Sequence, residues 1–166
     1  ERLNNEEELL IVHITSLPDN FTHLQKRQKG LESNFPRKER LHCLKIEETN
    51  QKVINAEIQQ YLEAYPKIKG LFVTNSKTWR VAKFLKNYRH DFYLVGYDLT
   101  EDNLMYLEDQ TINVLISQKS YDQGYMSIKA LFHHLILHKS LEKEYKMPIE
   151  IIIKENMNHL NTYNFL

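Results

Sequence analysis

The hydrophobic positions of this chain alternate between short β-rich runs and longer stretches of helical period. Leu9 to Thr15 (LLIVHIT) is short, β-branched and closed by Ser16-Leu17-Pro18-Asp19, which predicts a buried strand ending in a turn. Asp19 or Asn20 can cap a helix running to about Phe35. Leu41 to Ile46 alternates and reads as a second strand. Thr49 or Asn50 then opens a helix in which Ile54, Ile58, Tyr61 or Leu62, and Tyr65 recur at helical spacing, and Pro66 ends it. Gly70 to Thr74 is a third strand, followed by a helix with Val81, Phe84, Leu85 and Tyr88 on one face. Phe92 to Tyr97 is a fourth strand, Glu101 to Glu108 a short helix, and Ile112 to Ser117 a fifth strand. Ser120 and Gln123 have capping-box spacing, predicting a helix to about His138 with Tyr125, Ile128, Phe132 and Leu135 inward. Pro148 starts a last strand, Ile149 to Ile153. Strict alternation with nearly continuous apolar strands predicts an α/β fold, a parallel sheet with helices on both faces.

Length and charge narrow the function. At 166 residues the chain suits one domain with a sizeable core. Its 22 basic and 22 acidic side chains cancel, which argues against a broad nucleic-acid face. The single cysteine, Cys43, excludes an internal disulfide framework and a multi-cysteine metal site. Apolar runs are far shorter than a membrane span, and the acidic start is unlike a signal peptide. A chain that begins at Glu1 rather than Met is expected to be a piece of something longer.

In an open parallel sheet, ligands sit beyond the carboxyl ends of the strands. The residues there are Thr15 and Ser16, Asn75 and Ser76, Asp98, and Gln118. Arg27 lies two turns into the first helix, long enough to reach back to the same edge. An Arg, an Asp, an Asn and a Gln offer fixed planar donors and acceptors, suited to an uncharged polyhydroxylated ligand. Each also has a plainer use, because strand-end Asn, Asp and Ser commonly cap helices or make turns.

Harder chemistry finds less support. His134 and His138 share a helical face beside His133, with no third metal ligand evident, so a solvated helix end is expected. Cys43 sits mid-strand with His42 on the opposite face, which excludes a local Cys-His pair and suggests a buried structural thiol. The turns after the first and third strands contain no glycine, so a phosphate-cradling loop is missing. Trp79 is expected to pack at the sheet-helix boundary rather than serve as a sugar platform. The basic cluster Lys26, Arg27 and Lys29 reads mainly as a solvated face. No catalytic residue, metal or cofactor is expected.

Several segments together resemble the effector-binding domain of LacI/GalR (lactose-repressor) transcription regulators. Arg27-Gln-Lys-Gly30-Leu31 resembles that family's R-x-x-G-F element, and Val95-Gly-Tyr-Asp98 its V-G-F/Y-D strand end. Leu115 to Gly124 (LISQKSYDQG) resembles its crossover into the last long helix, and Pro148-Ile-Glu-Ile-Ile its closing strand. The resemblance covers nearly the whole chain in order and spacing. It implies a type I periplasmic-binding-protein-like fold of two lobes, with residues 1–166 mainly the carboxy-terminal lobe. Most of the amino-terminal lobe and the DNA-binding domain would be absent. Carried over, Arg27 would bond ligand hydroxyls, Asn75 would contact the ligand and Asp98 would accept from two hydroxyls. Gln118 would line the crossover. Two departures stand out: Ser76 replaces the family's Asp, and Trp79 replaces a small residue.

The resemblance implies a cytoplasmic, non-catalytic switch in which a small effector, a carbohydrate by the chemistry above, alters the DNA binding of a homodimer. Operator DNA would be reached only through the missing domain, and no membrane is involved. The alternative is a solute-binding protein or a sensor-kinase receptor domain for a sugar. An α/β enzyme would need a nucleophile-base pair or phosphate cradle, and a purely structural dimerisation module would use the helices alone.

Overall fold

Five strands of β-branched and aliphatic residues line up in parallel because each is followed by a helix long enough to bring the chain back. The structure, a computed structural model, describes residues 6–15, 21–88 and 91–158. The order is β1 (Glu8–Ile14), α1 (Phe21–Asn34), a 3-10 turn (Lys38–Arg40), β2 (Leu41–Ile46), α2 (Gln51–Ala64) and β3 (Ile68–Val73). It continues α3 (Thr78–Tyr88), β4 (Tyr93–Tyr97), α4 (Glu101–Glu108), β5 (Val114–Ser117), α5 (Ser120–Leu135) and β6 (Glu150–Ile152). The strands form one sheet in the order β2-β1-β3-β4-β5-β6. The first five are parallel. The sixth is antiparallel, with Ser117 of β5 opposite Glu150. The all-parallel expectation therefore fails at this strand, since the chain leaves through α5 and returns along the same edge.

Alternation along the strands divides the core. Leu10, Val12 and Ile14 of β1 face Ile54 and Ile58 of α2, Val81 and Leu85 of α3, and Leu107 of α4, all buried in one cluster. Leu9, Ile11 and Phe72 face the other way, against Leu31 and Phe35 at the α1 side. Leu24, Arg27, Gln28 and Leu31 recur at one face of α1, so the stripe that buries Leu24 also turns Arg27 and Gln28 toward the sheet. The α2 cap agrees with the sequence reading, and α4 has one that the sequence reading did not name. The Asn50 side chain accepts from the Lys52 amide to open α2, and Thr100 accepts from the Asn103 amide to open α4.

Three expectations are corrected. Tyr125, Ile128, Phe132 and Leu135 of α5 are 58%, 70%, 51% and 58% exposed, not inward. Lys119, in the left-handed region at φ 54°, turns the chain away from the sheet before α5 starts. Nor does the capping box form: Lys119 is the N-cap with no side-chain cap bond, and the Gln123 amide donates to the Gln118 carbonyl at 2.6 Å. Cys43 is exposed rather than buried, because β2 is an edge strand; its thiol points weakly at Gln28 Oε1, 3.8 Å away. Its neighbour His42 does lie on the opposite face, against the Tyr61 and Tyr65 rings of α2. No helix among the described residues is long and apolar enough to cross a membrane.

Candidate functional site

The carboxyl ends of β1, β3, β4 and β5 lie along one edge, and three of the expected site residues meet there in a single chain of hydrogen bonds. Arg27 Nη2 donates to Gln118 Oε1 at 2.7 Å. Gln118 Nε2 in turn donates to Asp98 Oδ1 at 2.7 Å. Arg27 Nη1 also donates to the Thr74 carbonyl at the end of β3. Residues 27, 74, 98 and 118, from four elements, are thereby fixed relative to one another before any ligand arrives.

The guanidinium has a floor as well as walls. Its Cζ lies 4.0 Å from the centre of the Tyr97 ring, and that ring meets Phe72 edge-on at 5.8 Å. Burial pushes the Tyr97 phenol above its ordinary pKa, outweighing the nearby Arg27 charge, so the ring stays neutral. Asp98 occupies the left-handed region at φ 70°, which swings its carboxylate off the strand line toward Gln118. A guanidinium has five N–H donors, and these bonds assign two. An ionised carboxylate accepts at both oxygens, and the Gln118 bond uses Oδ1. The edge thus presents a cation and an anion joined through a neutral amide, a set that can donate to one hydroxyl and accept from the next.

The remaining expected residues are placed differently. Asn75 works as the plainer reading would have it: its Nδ2 donates to the Ile14 carbonyl at 2.7 Å, and its Oδ1 accepts from the Lys77 amide at 3.1 Å. It ties β1 to the start of α3. Ser76 is half-buried in the same loop, its carbonyl accepting from Asn103. Ser16 lies outside the described residues. Trp79 packs against the main core with Arg80 stacked 4.5 Å over its ring, as the sheet-helix boundary reading expects. His133 and His134 lie at the exposed end of α5, with His134 Nδ1 3.0 Å from the Lys139 carbonyl. Among the described residues, no cluster of three His, Cys, Asp or Glu side chains is placed to hold a metal ion.

Sequence reasoning missed the residues that build this edge from beneath. Asn103, fully buried in α4, shares its two Nδ2 hydrogens among the carbonyls of Ser76, Tyr97 and Asp98, 2.9–3.1 Å away, and accepts from the Trp79 amide at 2.8 Å. Thr78 donates to the Asn75 carbonyl and accepts from the Tyr97 amide. A Cβ on Gly96 would lie 2.0 Å from Thr78 Oγ1, so that strand position must be glycine. The available signal was an Asn at a position of α4 that faces the core.

Beside this edge opens a cleft of ≈ 990 Å³, lined in part by Asp98, Thr100, Gln118, Lys119, Tyr121 and Glu150. Lys119 Nζ and Glu150 Oε1 pair across it at 2.7 Å, joining the start of α5 to the returning strand.

The sequence profile of the periplasmic binding protein domain matches residues 2–139. No curated protein matches the chain. Among solved structures, a protein from Bacteroides fragilis assigned as a LacI transcriptional regulator superposes with a TM-score of 0.83 at 27% identity, over 93% of this chain and 55% of its own. A glucose-galactose binding protein from Geobacillus stearothermophilus gives 0.72 at 20% identity, over 92% and 55%. A solute-binding protein from Burkholderia graminis, solved with D-arabinose, gives 0.74 at 18% identity, again over 92% and 55%. The last two likenesses carry the fold alone. The chain spans about half the length of these proteins.

Proposed function

Because this chain belongs to the periplasmic binding protein domain family, we propose that it is the carboxy-terminal lobe of a sugar-responsive domain in a LacI-type transcription regulator. The observation that carries the reading is the Arg27–Gln118–Asp98 chain of hydrogen bonds, which joins α1 to the ends of β4 and β5. Vicinal hydroxyls match it, since each can accept from the guanidinium and donate to the carboxylate. The exposed apolar face of α5 supports a second lobe: a helix with this stripe requires a covering surface, and about half the length of the related proteins lies beyond this chain. A sugar held between the lobes would favour one arrangement by its differential affinity, typically worth 1–3 kcal/mol of coupling. In the intact, cytoplasmic homodimer that shift would reset operator binding through a separate DNA-binding domain. Ser16 and Ser76 complete the proposed sugar contacts, while Asn75 holds the β1 end and the start of α3 beneath them. The LacI assignment draws on the 27% identity to the Bacteroides fragilis protein.

A second reading has its own support. The Geobacillus and Burkholderia proteins are sugar receptors, so the same edge suits a solute-binding protein or a sensor-kinase receptor domain. One experiment separates them. The intact protein is titrated calorimetrically with D-glucose, D-galactose, D-arabinose and D-allose, and its binding to DNA from its own locus is followed by gel shift with and without the sugar that binds. The regulator reading expects a sugar-dependent shift, and the receptor reading expects sugar binding with no DNA complex. Arg27→Ala and Asp98→Asn are each expected to weaken sugar binding at least about tenfold, the scale of one lost charge-assisted hydrogen bond. Undiminished affinity in both variants removes the site assignment.

A further inference from the structure

The imidazole of His13 is completely buried on the α1 side of β1, and the sugar-binding scheme leaves it without a role. Its Nε2 lies 2.8 Å from Gln28 Oε1, and its Nδ1 lies 2.7 Å from Thr74 Oγ1. Both partners bear directly on Arg27. Gln28 is its neighbour on α1, and the Thr74 carbonyl accepts from Arg27 Nη1. The amide of Gln28 is oriented by its bond from Nε2 to Glu32 Oε1, 2.6 Å, so its oxygen faces the ring. An amide oxygen only accepts, which requires the His13 proton on Nε2. Nδ1 is then the acceptor and the Thr74 hydroxyl its donor. We propose that His13 is the positioning residue of the Arg27 site: as the neutral Nε2–H tautomer it clamps α1 to β3 on either side of Arg27, and on protonation it loosens that clamp.

The proposal rests on the reading of Arg27 as a sugar ligand. Adding a proton at Nδ1 turns the acceptor into a donor, so the Thr74 hydroxyl must reverse toward the Val12 carbonyl, 3.3 Å away. It also buries a positive charge behind Arg27. Two charged groups act on the ring, Lys45 on β2 and Glu32 on α1; the Cys43 thiol points at the same Gln28 oxygen, and Arg27, stacked on the Tyr97 phenol, shares Thr74 with it. Burial lowers the imidazole pKa; the Gln28 bond opposes it, Lys45 adds to it and Glu32 opposes it. His13 is therefore neutral at neutral pH and charges only as the pH falls below the ordinary value of 6.5 through its depressed folded value. The stability contributed by the neutral form is present above 6.5 and is lost over that same interval.

The test uses wild type, His13→Gln, which keeps a side chain that can bond both partners without titrating, and Arg27→Ala. Nitrogen-15 NMR follows the His13 ring and the Arg27 guanidinium without ligand, and calorimetry follows D-glucose, D-galactose, D-arabinose and D-allose at pH 7.5 and 5.5. In wild type the Arg27 resonance is expected to move with the His13 midpoint below pH 6.5, and sugar binding to weaken roughly tenfold through the same interval. In His13→Gln both profiles are expected to be flat, with neutral-pH affinity retained. An Arg27 resonance that is flat in wild type, or that still titrates in His13→Gln, overturns the clamp. Full sugar affinity in Arg27→Ala, with the wild-type Arg27 resonance still following His13, overturns instead the reading of Arg27 on which the proposal rests.

Discussion

Replacing Asn103 by Asp changes one NH2 group into an oxygen and leaves the shape of α4 untouched, yet it is expected to be among the most damaging changes in the chain. The two hydrogens of the native amide are shared among three backbone carbonyls, Ser76, Tyr97 and Asp98, in a site with no solvent exposure. Asn103→Asp removes those donors and turns a carboxylate oxygen toward the three carbonyls, while the acceptor bond from the Trp79 amide survives. Neutral hydrogen bonds contribute about 0.5–1.5 kcal/mol each, and stranding their buried partners adds a further 1–3 kcal/mol. The expected loss at pH 7 is about 3–5 kcal/mol, a large share of the roughly 5–15 kcal/mol of a typical domain. Urea unfolding followed by circular dichroism reads this as a midpoint lowered by about 2 M, for slopes of about 1–3 kcal/mol per molar. The pH dependence is diagnostic. Burial against carbonyls raises the introduced carboxyl above its unfolded value near 3.9, so the folded form holds its proton longer. Stability of the variant therefore falls as pH rises above about 4 and is partly recovered in acid, where the protonated group again donates. A midpoint within about 0.5 M of wild type, or no acid recovery relative to wild type, would refute the assignment of Asn103 as the hub of the strand ends.

Two further changes test neighbouring parts of the fold. Gly96→Ala drives a methyl into Thr78 and is expected to cost about 1–3 kcal/mol by overpacking, read as a lowered melting temperature. A loss below about 1 kcal/mol would mean that β4 and α3 separate more easily than their contact implies. On α5, Phe132→Ser is expected to change the chain's stability by no more than about 0.5 kcal/mol, because the ring is already half exposed. A drop of about 2 kcal/mol or more in the same melting assay would place that ring inside a core.

The fold was legible where burial acted on one element at a time. β1 shows this well: LLIVHIT has too many β-branched residues for a surface helix and is closed by a turn, and it forms an inner strand between β2 and β3. The site was legible in part because strand ends can be counted, and Arg27, Asp98 and Gln118 do meet. Asn75 shows the limit of that counting. Its turn bond to Lys77 is local and readable, but the bond that spends its Nδ2 on Ile14 depends on the register between β1 and β3, which no local pattern encodes. The exposed stripe of α5 misled for a related reason. Periodicity reports that a face seeks cover, but not where the cover lies. Cys43 was misplaced because an edge strand and an inner strand share the same alternation. The polarity of β6 depended on where the chain re-enters the sheet.

The junction at Lys119 and Glu150 carries a mechanical consequence. The chain leaves the sheet just past Ser117 and comes back at Glu150, residues that sit opposite one another on adjacent antiparallel strands. Adjacent strands are about 4.8 Å apart, so the excursion from Gln118 to Ile149, α5 and the segment after it, is fastened to the lobe by two threads at almost the same point. A body hung on two such pins keeps essentially one easy rotation, about the line through both, while sliding and twisting are resisted. Gln118 lies almost on that axis, and the far end of α5, some sixteen residues and about 24 Å along, lies at the rim of the swing. A small turn near the hydrogen-bonded edge is therefore converted by lever arm into a long displacement at Leu135, with Gln118 itself hardly moving.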